Sequence, residues 1–549
     1  MIELLSINLN NAGKLMFKSR PLHIFTSNYN KSIHVTILLI ILNKTSILII
    51  SMLFFLGISG CIDEEIEDKT DGLDLNIAYG QDVFNGFYPW VGFINQQTLS
   101  INSNIFNSLV EFGERYQIIP TLAESWNNPD KLTWRFFLRK DVKFHNGDIF
   151  SADDVKYSID LIKGDKNNTL YSYLTMVKEV IIVNDFTIDI VTFEPYPILL
   201  DKLVYIFMVS KQNHEEISNG NPIGTGAYRF SEYVKDNYLV LERFEGYWGE
   251  KPEVQKITFT FFNDYEDRLN NFLEGNVDII DSINPTDYDN LSKIPGVKIL
   301  PFTFNTVTYL GFNFVENNPC LDLRVRKAVY HAINIDEIIE NACDGYAEPA
   351  SQFVSEYIFG YNPEIQRLSY DLTKARQYMK DAGYEKGFEI TLDCRESEVR
   401  ENASRMIADQ LSLINITVEV NILSSSDFYS KISNRESSFY FFGWATDSPD
   451  AGEIFDNILR SVDFENGFGL SNFGNYSNPV IDKIAEDISY TMNPVVRLDL
   501  MKEGFAIAME DVVCVPLYIL KGYCVVRDEF SLPIRADGLI KIENVKIDN

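Results

Sequence analysis

From residue 73 onward the sequence alternates short β-like runs with helical patterns. Leu75–Tyr79 alternates apolar and polar side chains as a half-buried strand does, and Lys178–Phe193 is typical of two strands around a central turn. Later segments change to a helical period. Asp322–Cys343 has two apolar stripes, and Asp371–Gly383 begins at a candidate N-cap and ends at a glycine. Strands mixed with helices in this way predict an α/β fold.

The length of the chain limits how it can be packed. A single hydrophobic core stops growing near about 250–300 residues, and longer chains divide. This chain has 549 residues, and 46% of them are apolar, which is enough to fill more than one core. We therefore expect a globular protein with at least two lobes.

The charge of the chain is unevenly distributed. The total is −31, and residues 1–60 contain five bases and one acid, which leaves −35 on the remainder. A field of that sign repels phosphate backbones and anionic lipid headgroups, so it argues against a nucleic-acid partner. It favours, weakly, a cationic or dipolar ligand.

The N-terminal region has the form of a targeting segment. Two apolar runs, Ile33–Leu42 and Ile47–Gly60, are separated by Lys44, and small residues precede Cys61. Ile58-Ser59-Gly60-Cys61 resembles the lipobox of secreted lipoproteins, in which the cysteine receives a lipid anchor. We expect residues 1–60 to be a signal peptide and lipoprotein leader and residues 61–72, which are rich in charge, to be a flexible tether. A transmembrane anchor with an incidental cysteine is the alternative.

Three acids lie at every third position in FFGWATDSPDAGEIF, residues 441–455: Asp447, Asp450 and Glu453. Paired carboxylates could hydrolyse glycosides, but the sequence gives no facing pair. The spacing does not fit a calcium loop. The remaining interpretation is an apolar strand that brings Trp444 and Asp447 to a cleft, where the carboxylate pairs with an ammonium group and the indole covers it. Asp450 and Glu453 are expected to be turn residues.

We predict neither a metal site nor a cofactor. The cysteines after Cys61 show no CxxC spacing, and their number is odd, so disulfides cannot be assigned. His145, one of three histidines beyond the leader, stands in Phe-His-Asn-Gly-Asp, a pattern typical of a turn.

Several segments in order resemble the extracytoplasmic solute-binding proteins of ABC importers, in the peptide/nickel-binding group called family 5. The resemblance covers nearly the whole chain after the leader, although Ala227 stands where the family commonly has proline. The matching segments are Ile118–Ile159, Ile223–Phe230, Phe244–Phe259, Tyr309–Phe314, Leu321–Ile339, Gly345–Ala350, Tyr370–Tyr384 and the Trp444 block itself.

The resemblance implies roles for individual residues. In peptide-binding members an aspartate in the matching Gly-Trp-x-x-Asp block holds the α-amino group of the peptide, which corresponds to Asp447 here. An arginine in the preceding helix holds a ligand carboxylate. Arg405 is the candidate, Arg400 is the rival, and a solvated helix face is the alternative for either. Tyr88, beside Pro89, is a candidate cleft residue.

The resemblance also implies a fold. We expect a two-lobed periplasmic-binding-protein-like α/β fold with mixed sheets joined by a hinge. Lobe I would contain residues 73–308 and 515–549, with a subdomain at about 98–209, and lobe II would contain residues 309–514. The chain would cross between the lobes near Thr303–Phe314 and Val512–Leu520.

The function implied is that of a receptor and not of an enzyme. A monomer, anchored by lipid at Cys61 to the outer face of the cell membrane, would capture peptides between its lobes and deliver them to an ABC permease and its ATPase subunits. A nickel chelate, haem or an oligosaccharide is an alternative ligand, and a sensory lipoprotein is an alternative role. An extracellular hydrolase is disfavoured because the sequence has no HExxH and no GxSxG motif.

Overall fold

The computed structural model describes residues 74–82, 84, 86–90, 95–446, 448–536 and 538–548. The expected leader, the tether and Cys61 lie outside these ranges. Within them, no helix combines the length and the apolar character that crossing a bilayer requires.

The described residues form nineteen strands, numbered in chain order. They are β1 Asp74–Tyr79, β2 Val110–Phe112, β3 Ile118–Pro120, β4 Ala123–Asp130, β5 Thr133–Leu138, β6 Val177–Asn184, β7 Thr187–Thr192, β8 Tyr228–Val234, β9 Tyr238–Arg243, β10 Lys256–Phe261, β11 Ile279–Ile280, β12 Val297–Phe312, β13 Ala347–Pro349, β14 Phe388–Arg395, β15 Ile416–Leu423, β16 Phe439–Ala445, β17 Cys514–Arg527, β18 Phe530–Ser531 and β19 Lys546–Ile547.

The same residues form fourteen α-helices and several single turns of other helix types. The α-helices are α1 Gln96–Ile105, α2 Ala152–Lys163, α3 Leu199–Leu203, α4 His214–Ser218, α5 Tyr265–Glu274, α6 Tyr288–Leu291, α7 Leu323–Ala332, α8 Ile335–Ala342, α9 Leu372–Asp381, α10 Glu398–Ser412, α11 Ser425–Ser433, α12 Gly452–Ile454, α13 Pro479–Tyr490 and α14 Pro494–Glu510. Short 3₁₀ segments span Thr169–Leu174, Pro285–Asp287, Pro319–Leu321 and Ile542–Asn544, and a π-helical turn spans Phe455–Leu459.

One large mixed sheet extends through both lobes. Its strand order is β15-β14-β16-β12-β17-β11-β1-β10-β9-β8, and β13 adds an eleventh strand by pairing with β17. Strand β1 is parallel to both β10 and β11, and β14 is parallel to both β15 and β16. The remaining pairs are antiparallel. The α/β prediction with mixed sheets is confirmed.

Two long antiparallel strands, β12 and β17, connect the two halves of this sheet. Their pairing is regular from Val297 to Thr303, breaks, and resumes at Val307, which lies opposite Ile519. Before the break, β12 pairs with the Lys521–Arg527 end of β17, which itself pairs with β11 of lobe I. After it, β12 pairs with β16 of lobe II. The register break therefore marks the place where the backbone passes from one lobe to the other.

Each half of the sheet has its own hydrophobic core. The lobe I core contains Leu75 of β1 and Leu239 of β9, together with Val526 from the far end of β17. The lobe II core contains Leu392 of β14 and Val515 from the near end of β17. The same strand thus contributes to both cores, and the fold is two-lobed.

Lobe II is a three-layer structure. Helices α7, α9 and α10 pack on one face of its sheet, and α11, α13 and α14 pack on the other. Successive residues of β16 serve opposite faces, because Phe441 joins the first layer and Phe442 the second. Strands buried on both faces are expected to be continuous apolar runs, and Phe439–Phe442 is such a run.

A separate antiparallel sheet, β4-β5-β7-β6, packs against α2 and forms a third core. Helix α2 begins with a capping box, in which Ser151 and Asp154 satisfy each other's backbone N–H groups. The hairpin predicted over Lys178–Phe193 is β6 and β7 of this sheet.

The exact domain boundaries expected from the sequence stay a prediction.

The loop Gly224-Thr225-Gly226 packs against the last turn of α1. Gly226 N–H donates to Ile105 O at 2.8 Å, and Trp248 Nε1 donates to Thr225 O at 3.2 Å. A Cβ atom added at Gly224 would lie 2.0 Å from Ile105 O, a backbone atom that cannot yield without moving the helix. Glycine is therefore required here by close approach.

We predict that Gly224→Ala destabilises lobe I by about 1–3 kcal/mol or more, because the added methyl group displaces α1. Urea unfolding followed by tryptophan fluorescence measures this, since Trp248 reports on the same loop. Gly80→Ala is the matched control: its Cβ would meet nothing closer than 3.4 Å, so the unfolding midpoint is expected to stay near that of the wild type. Equal midpoints for the two variants would contradict the prediction.

Candidate functional site

Strand β16 contains Trp444, whose side chain packs against a core of lobe II and lines neither of the two cavities described below, so its cleft role stays a prediction. The strand is held on one side by β12, where Trp444 pairs with Val307. The indole ring lies 6.4 Å from the ring of Phe442, and its side chain is half-buried. Its Nε1 atom is buried and has no hydrogen-bond partner among the described residues.

The loop that follows β16 contains the predicted ammonium-binding residue. Asp447 itself lies outside the described residues, so its role stays a prediction. The residue before it, Thr446, is held by a side chain of β12. The Asn305 side chain donates through Nδ2 to both the carbonyl oxygen and Oγ1 of Thr446, at 3.3 and 3.0 Å. Asn305 stands in the register break of β12, so this loop is tied to the segment that joins the lobes.

Asp450 is both a turn residue and half of a buried ion pair. Its Oδ1 accepts from Gly452 N–H at 2.8 Å, as a turn aspartate does, and it also accepts from Arg497 Nη2 at 2.8 Å. Arg497 Nη1 contacts the other carboxylate oxygen, so the pair is bidentate, and each side chain is only 6% exposed. The Asp450 carboxylate raises the pKa of Arg497 despite the opposing effect of burial. Sequence reasoning found the turn but missed Arg497, which is 47 positions away.

Glu453, also expected to be a turn residue, lies in the first turn of α12. A carboxylate at that position faces the positive end of a helix.

Asp201 faces this ion pair from the subdomain side of the cleft. It lies on α3, whose leucines belong to the subdomain core. Burial, and then the Asp450 carboxylate, raise the pKa of Asp201 to about 7, while Arg497 and Lys202 act in the opposite direction. A carboxyl group whose pKa is close to neutral pH thus lies between the two lobes.

Two cavities open along the cleft. We call the first the Asn305 cavity. It has a volume of about 440 Å³ and is lined by Leu99, Phe106 and Phe112 of lobe I and by Asn305 and Thr446.

The second, the Asp450 cavity, has a volume of about 680 Å³. It is lined by Tyr173, Glu194 and Lys202 of the subdomain and by Asp450 and Arg460 of lobe II. Each volume falls in the range of small-molecule sites, about 300–1,000 Å³.

The two predicted arginines differ in environment. Arg405 is exposed on α10, where it pairs with Glu401 at 3.5 Å in the same helix. Arg400, five residues earlier, is half-buried, and burial lowers the pKa of its guanidinium. The carboxylate-binding role stays a prediction for Arg405, with Arg400 as its rival.

Tyr88 lies on the surface of lobe I. Its side chain is 39% exposed, and its hydroxyl donates to Ser218 O at 3.2 Å. The described residues that line the two cavities include none of the predicted site residues Tyr88, Arg400, Arg405 and Trp444. The cleft role of Tyr88 therefore stays a prediction.

His145 occupies a structural position. Its Nε2 lies 3.1 Å from Gly226 O, and Gly224 N–H donates to its Nδ1 at 3.3 Å. Burial lowers the pKa of His145 to about 4, so the ring is neutral at physiological pH.

The cysteines Cys320, Cys343, Cys394, Cys514 and Cys524 are all buried and free. In the ranges that the structure describes, no group of three His, Cys, Asp or Glu side chains is placed to hold a metal ion.

The Asp450–Arg497 pair gives a stability prediction. Arg497→Met and Asp450→Asn each leave one buried charge without its partner, which is expected to cost about 3–5 kcal/mol in the free energy of unfolding. The double variant removes both charges and is expected to recover most of that loss. Urea denaturation of the four proteins measures the coupling between the two sites. A double variant as unstable as the sum of the two single variants would show that the pair does not act as a unit.

Asp201 gives a pH prediction. The pKa of an unfolded aspartate is about 3.9, so the folded state retains a proton between about pH 4 and pH 7 that the unfolded state has lost. The contribution of Asp201 to stability therefore falls as pH rises through that window. Asp201→Asn cannot titrate, so its melting temperature is expected to exceed that of the wild type above pH 7 and to approach it near pH 4. Asp141→Asn, at an exposed position, is the control, and a constant difference for Asp201→Asn at every pH would contradict the prediction.

Comparison with known proteins agrees with this architecture. Residues 117–466 match the bacterial extracellular solute-binding proteins, family 5, middle region. The dipeptide-binding protein of Escherichia coli (strain K12) is 28% identical over 455 residues, which cover 76% of this chain and 84% of that protein. Heme-binding protein A of Haemophilus influenzae is 26% identical over 477 residues, which cover 80% and 86%.

A solved structure shares the fold. The ABC transporter-associated periplasmic binding protein DppA from Helicobacter pylori, in complex with the peptide STSA, superposes with a TM-score of 0.65 at 23% identity, over 88% of this chain and 99% of that one. The chain belongs to the family 5 bacterial extracellular solute-binding proteins, which are transport receptors and not enzymes.

Proposed function

We propose that this protein is a lipid-anchored receptor that captures peptides between its lobes and delivers them to the permease and ATPase subunits of an ABC importer. The observation that carries the proposal is the cleft, in which both cavities are lined by lobe I and lobe II residues beside position 447. A ligand held there contacts both lobes, so its binding energy offsets the cost of closing them.

Three observations support a peptide as the ligand. The relatives include a dipeptide-binding protein and a structure in complex with the peptide STSA. The charge of −35 beyond the leader favours a ligand with a cationic group. Trp444 stands three residues before Asp447 in the sequence, and the face of an indole together with a carboxylate can enclose an ammonium group.

The proposed roles of individual residues are those that the family resemblance implies. Asp447 binds the α-amino group of the peptide and Trp444 covers it. Arg405 binds the ligand carboxylate, with Arg400 as the alternative because it is the more buried of the two. Tyr88 contributes to the cleft from lobe I.

The proposal includes the arrangement of the chain outside and between the lobes. Lobe I comprises residues 73–308 and 515–549, including a subdomain at about 98–209, and lobe II comprises 309–514. Cys61 carries the lipid after cleavage of the leader, and the receptor acts as a monomer on the outer face of the cell membrane. Extracytoplasmic location is a property of the family.

Haem is the second candidate ligand, and the relative named heme-binding protein A favours it. Haem differs from a peptide in having no α-amino group, so it would not use Asp447 in the same way. One binding assay can therefore distinguish a peptide ligand from haem.

The test is the melting temperature of the purified full-length chain with tetrapeptides of the series Ala-Xaa-Ala-Ala, their N-acetylated twins, haemin, nickel–histidine and a set of oligosaccharides. We expect free-amine peptides to raise the melting temperature by mass action and the acetylated twins to have a much smaller effect. Asp447→Ala is expected to abolish the response to free-amine peptides and to leave the ligand-free melting temperature unchanged.

The control is Glu465→Ala, an exposed acid of the same lobe, which is expected to respond as the wild type does. A response to haemin, nickel–histidine or an oligosaccharide and to no peptide would overturn the peptide assignment. An unchanged response of Asp447→Ala would remove Asp447 from the site.

A further inference from the structure

Asn305 has an unusual combination of contacts. Its Nδ2 donates to Thr446 O and Oγ1, while its Oδ1 is buried and has no partner among the described residues. The orientation of the amide is fixed by chemistry, because a backbone carbonyl only accepts and so must face the Nδ2 group. The oxygen is left on the opposite side.

An acceptor buried without a partner costs about 1–3 kcal/mol, so such groups are rare and call for an explanation. Asn305 lines the Asn305 cavity, whose volume of about 440 Å³ is sufficient for part of a ligand. The group that would satisfy its oxygen is a hydrogen-bond donor that enters with a ligand. A carboxylate or carbonyl group offers only acceptors and does not fit.

The residues that line the cavity indicate which part of a ligand fits it. Its lobe I side contains the buried aromatic rings of Phe106, Phe112 and Phe207, and Glu111 and Arg535 also line the cavity. The charged residue Lys541 also lines it but is already in contact with Glu111 and Glu543. A neutral apolar side chain next to an N–H donor fits this surface.

We propose that Asn305 is a ligand-binding residue whose Oδ1 accepts a hydrogen bond from a backbone amide N–H of the bound peptide, beside an apolar side chain that enters the Asn305 cavity. This inference rests on the proposed function and identifies a contact on an element other than the Asp447 loop. Because Asn305 stands in the register break of β12 and also holds Thr446, the bound peptide is connected through one side chain to the segment that joins the lobes.

The test compares amides with esters. Replacing one backbone amide of a peptide by an ester removes one N–H group and changes little else. An ester scan of each internal position of Ala-Xaa-Ala-Ala therefore locates the N–H groups that donate a hydrogen bond to the protein. For the wild type we expect tighter binding when Xaa is apolar, and one position at which the ester weakens binding roughly 2- to 10-fold.

The diagnostic variant is Asn305→Leu, which has a similar volume and neither donor nor acceptor. We expect it to bind the amide peptide as weakly as the wild type binds the ester, and to show no difference between amide and ester at that position. Its ligand-free melting temperature is expected to remain within a few degrees of that of the wild type, because removal of an unsatisfied acceptor offsets the loss of the two Nδ2 contacts with Thr446.

Asn313→Leu is the matched control. Asn313 follows the end of β12, and its amide is fully engaged with Arg435 O, Ser437 O and Asn475 Nδ2. We expect this variant to lower the melting temperature and to keep the difference between amide and ester.

The outcomes are distinct. If the wild type distinguishes amide from ester and Asn305→Leu does so equally, the inference about Asn305 is wrong and the peptide receptor stands. The inference is equally wrong if no position of the wild-type ligand is sensitive to the ester. If no peptide of the series binds the wild type at all, the proposed function is wrong, and this inference with it.

Discussion

The pairing of β12 with β17 is the constraint on which the rest of the structure depends. These two strands are the neighbours in the sheet at which its lobe I and lobe II portions meet, and each contributes side chains to both cores. Ladder hydrogen bonds in a buried sheet cannot be broken without leaving polar groups unsatisfied, so we expect each half of the pair to stay with its own lobe. The segment between Thr303 and Val307, where the register shifts, has fewer such bonds to lose. The hinge is therefore predicted at this segment.

The cleft beside that hinge is built from polar groups that are satisfied in pairs, with a few exceptions. Asp450 is neutralised by Arg497, and Lys541 by Glu111 and Glu543. Such pairs contribute little net stability, but the loss of one partner is costly, so they fix the loops that carry them. One exception is Asn305 Oδ1, which is buried, belongs to a residue that lines the Asn305 cavity, and lacks a partner among the described residues. A receptor needs groups of this kind, since an atom already satisfied by the protein gains nothing from a ligand.

Sequence reasoning succeeded where the signal was local. The cap of α9 was predicted at Asp371, and its side chain does accept from Lys374 N–H at 3.0 Å. The hairpin over β6 and β7 was recognised because its alternation and its turn lie within one short segment. The residues of the candidate site were harder to predict from the sequence. The turn role of Asp450 was predicted, but its partner Arg497 was not, and Asp201 was missed because nothing near it in the sequence indicates that it faces another lobe. Asn305 lies in no motif and could be found only from its contacts.

The sequence by itself determined the family, the α/β class and the segment that contains the candidate site, because these depend on periodicity and on motifs that lie in order along the chain. Tertiary structure alone decided which side chains meet across the cleft, which of two arginines on one helix is buried, and which acid is paired with a cation. Such facts depend on burial and on distances between residues that are tens or hundreds of positions apart. Helical and strand periods place a side chain on one face of its own element, but only the packing of that element against others decides what the face contacts.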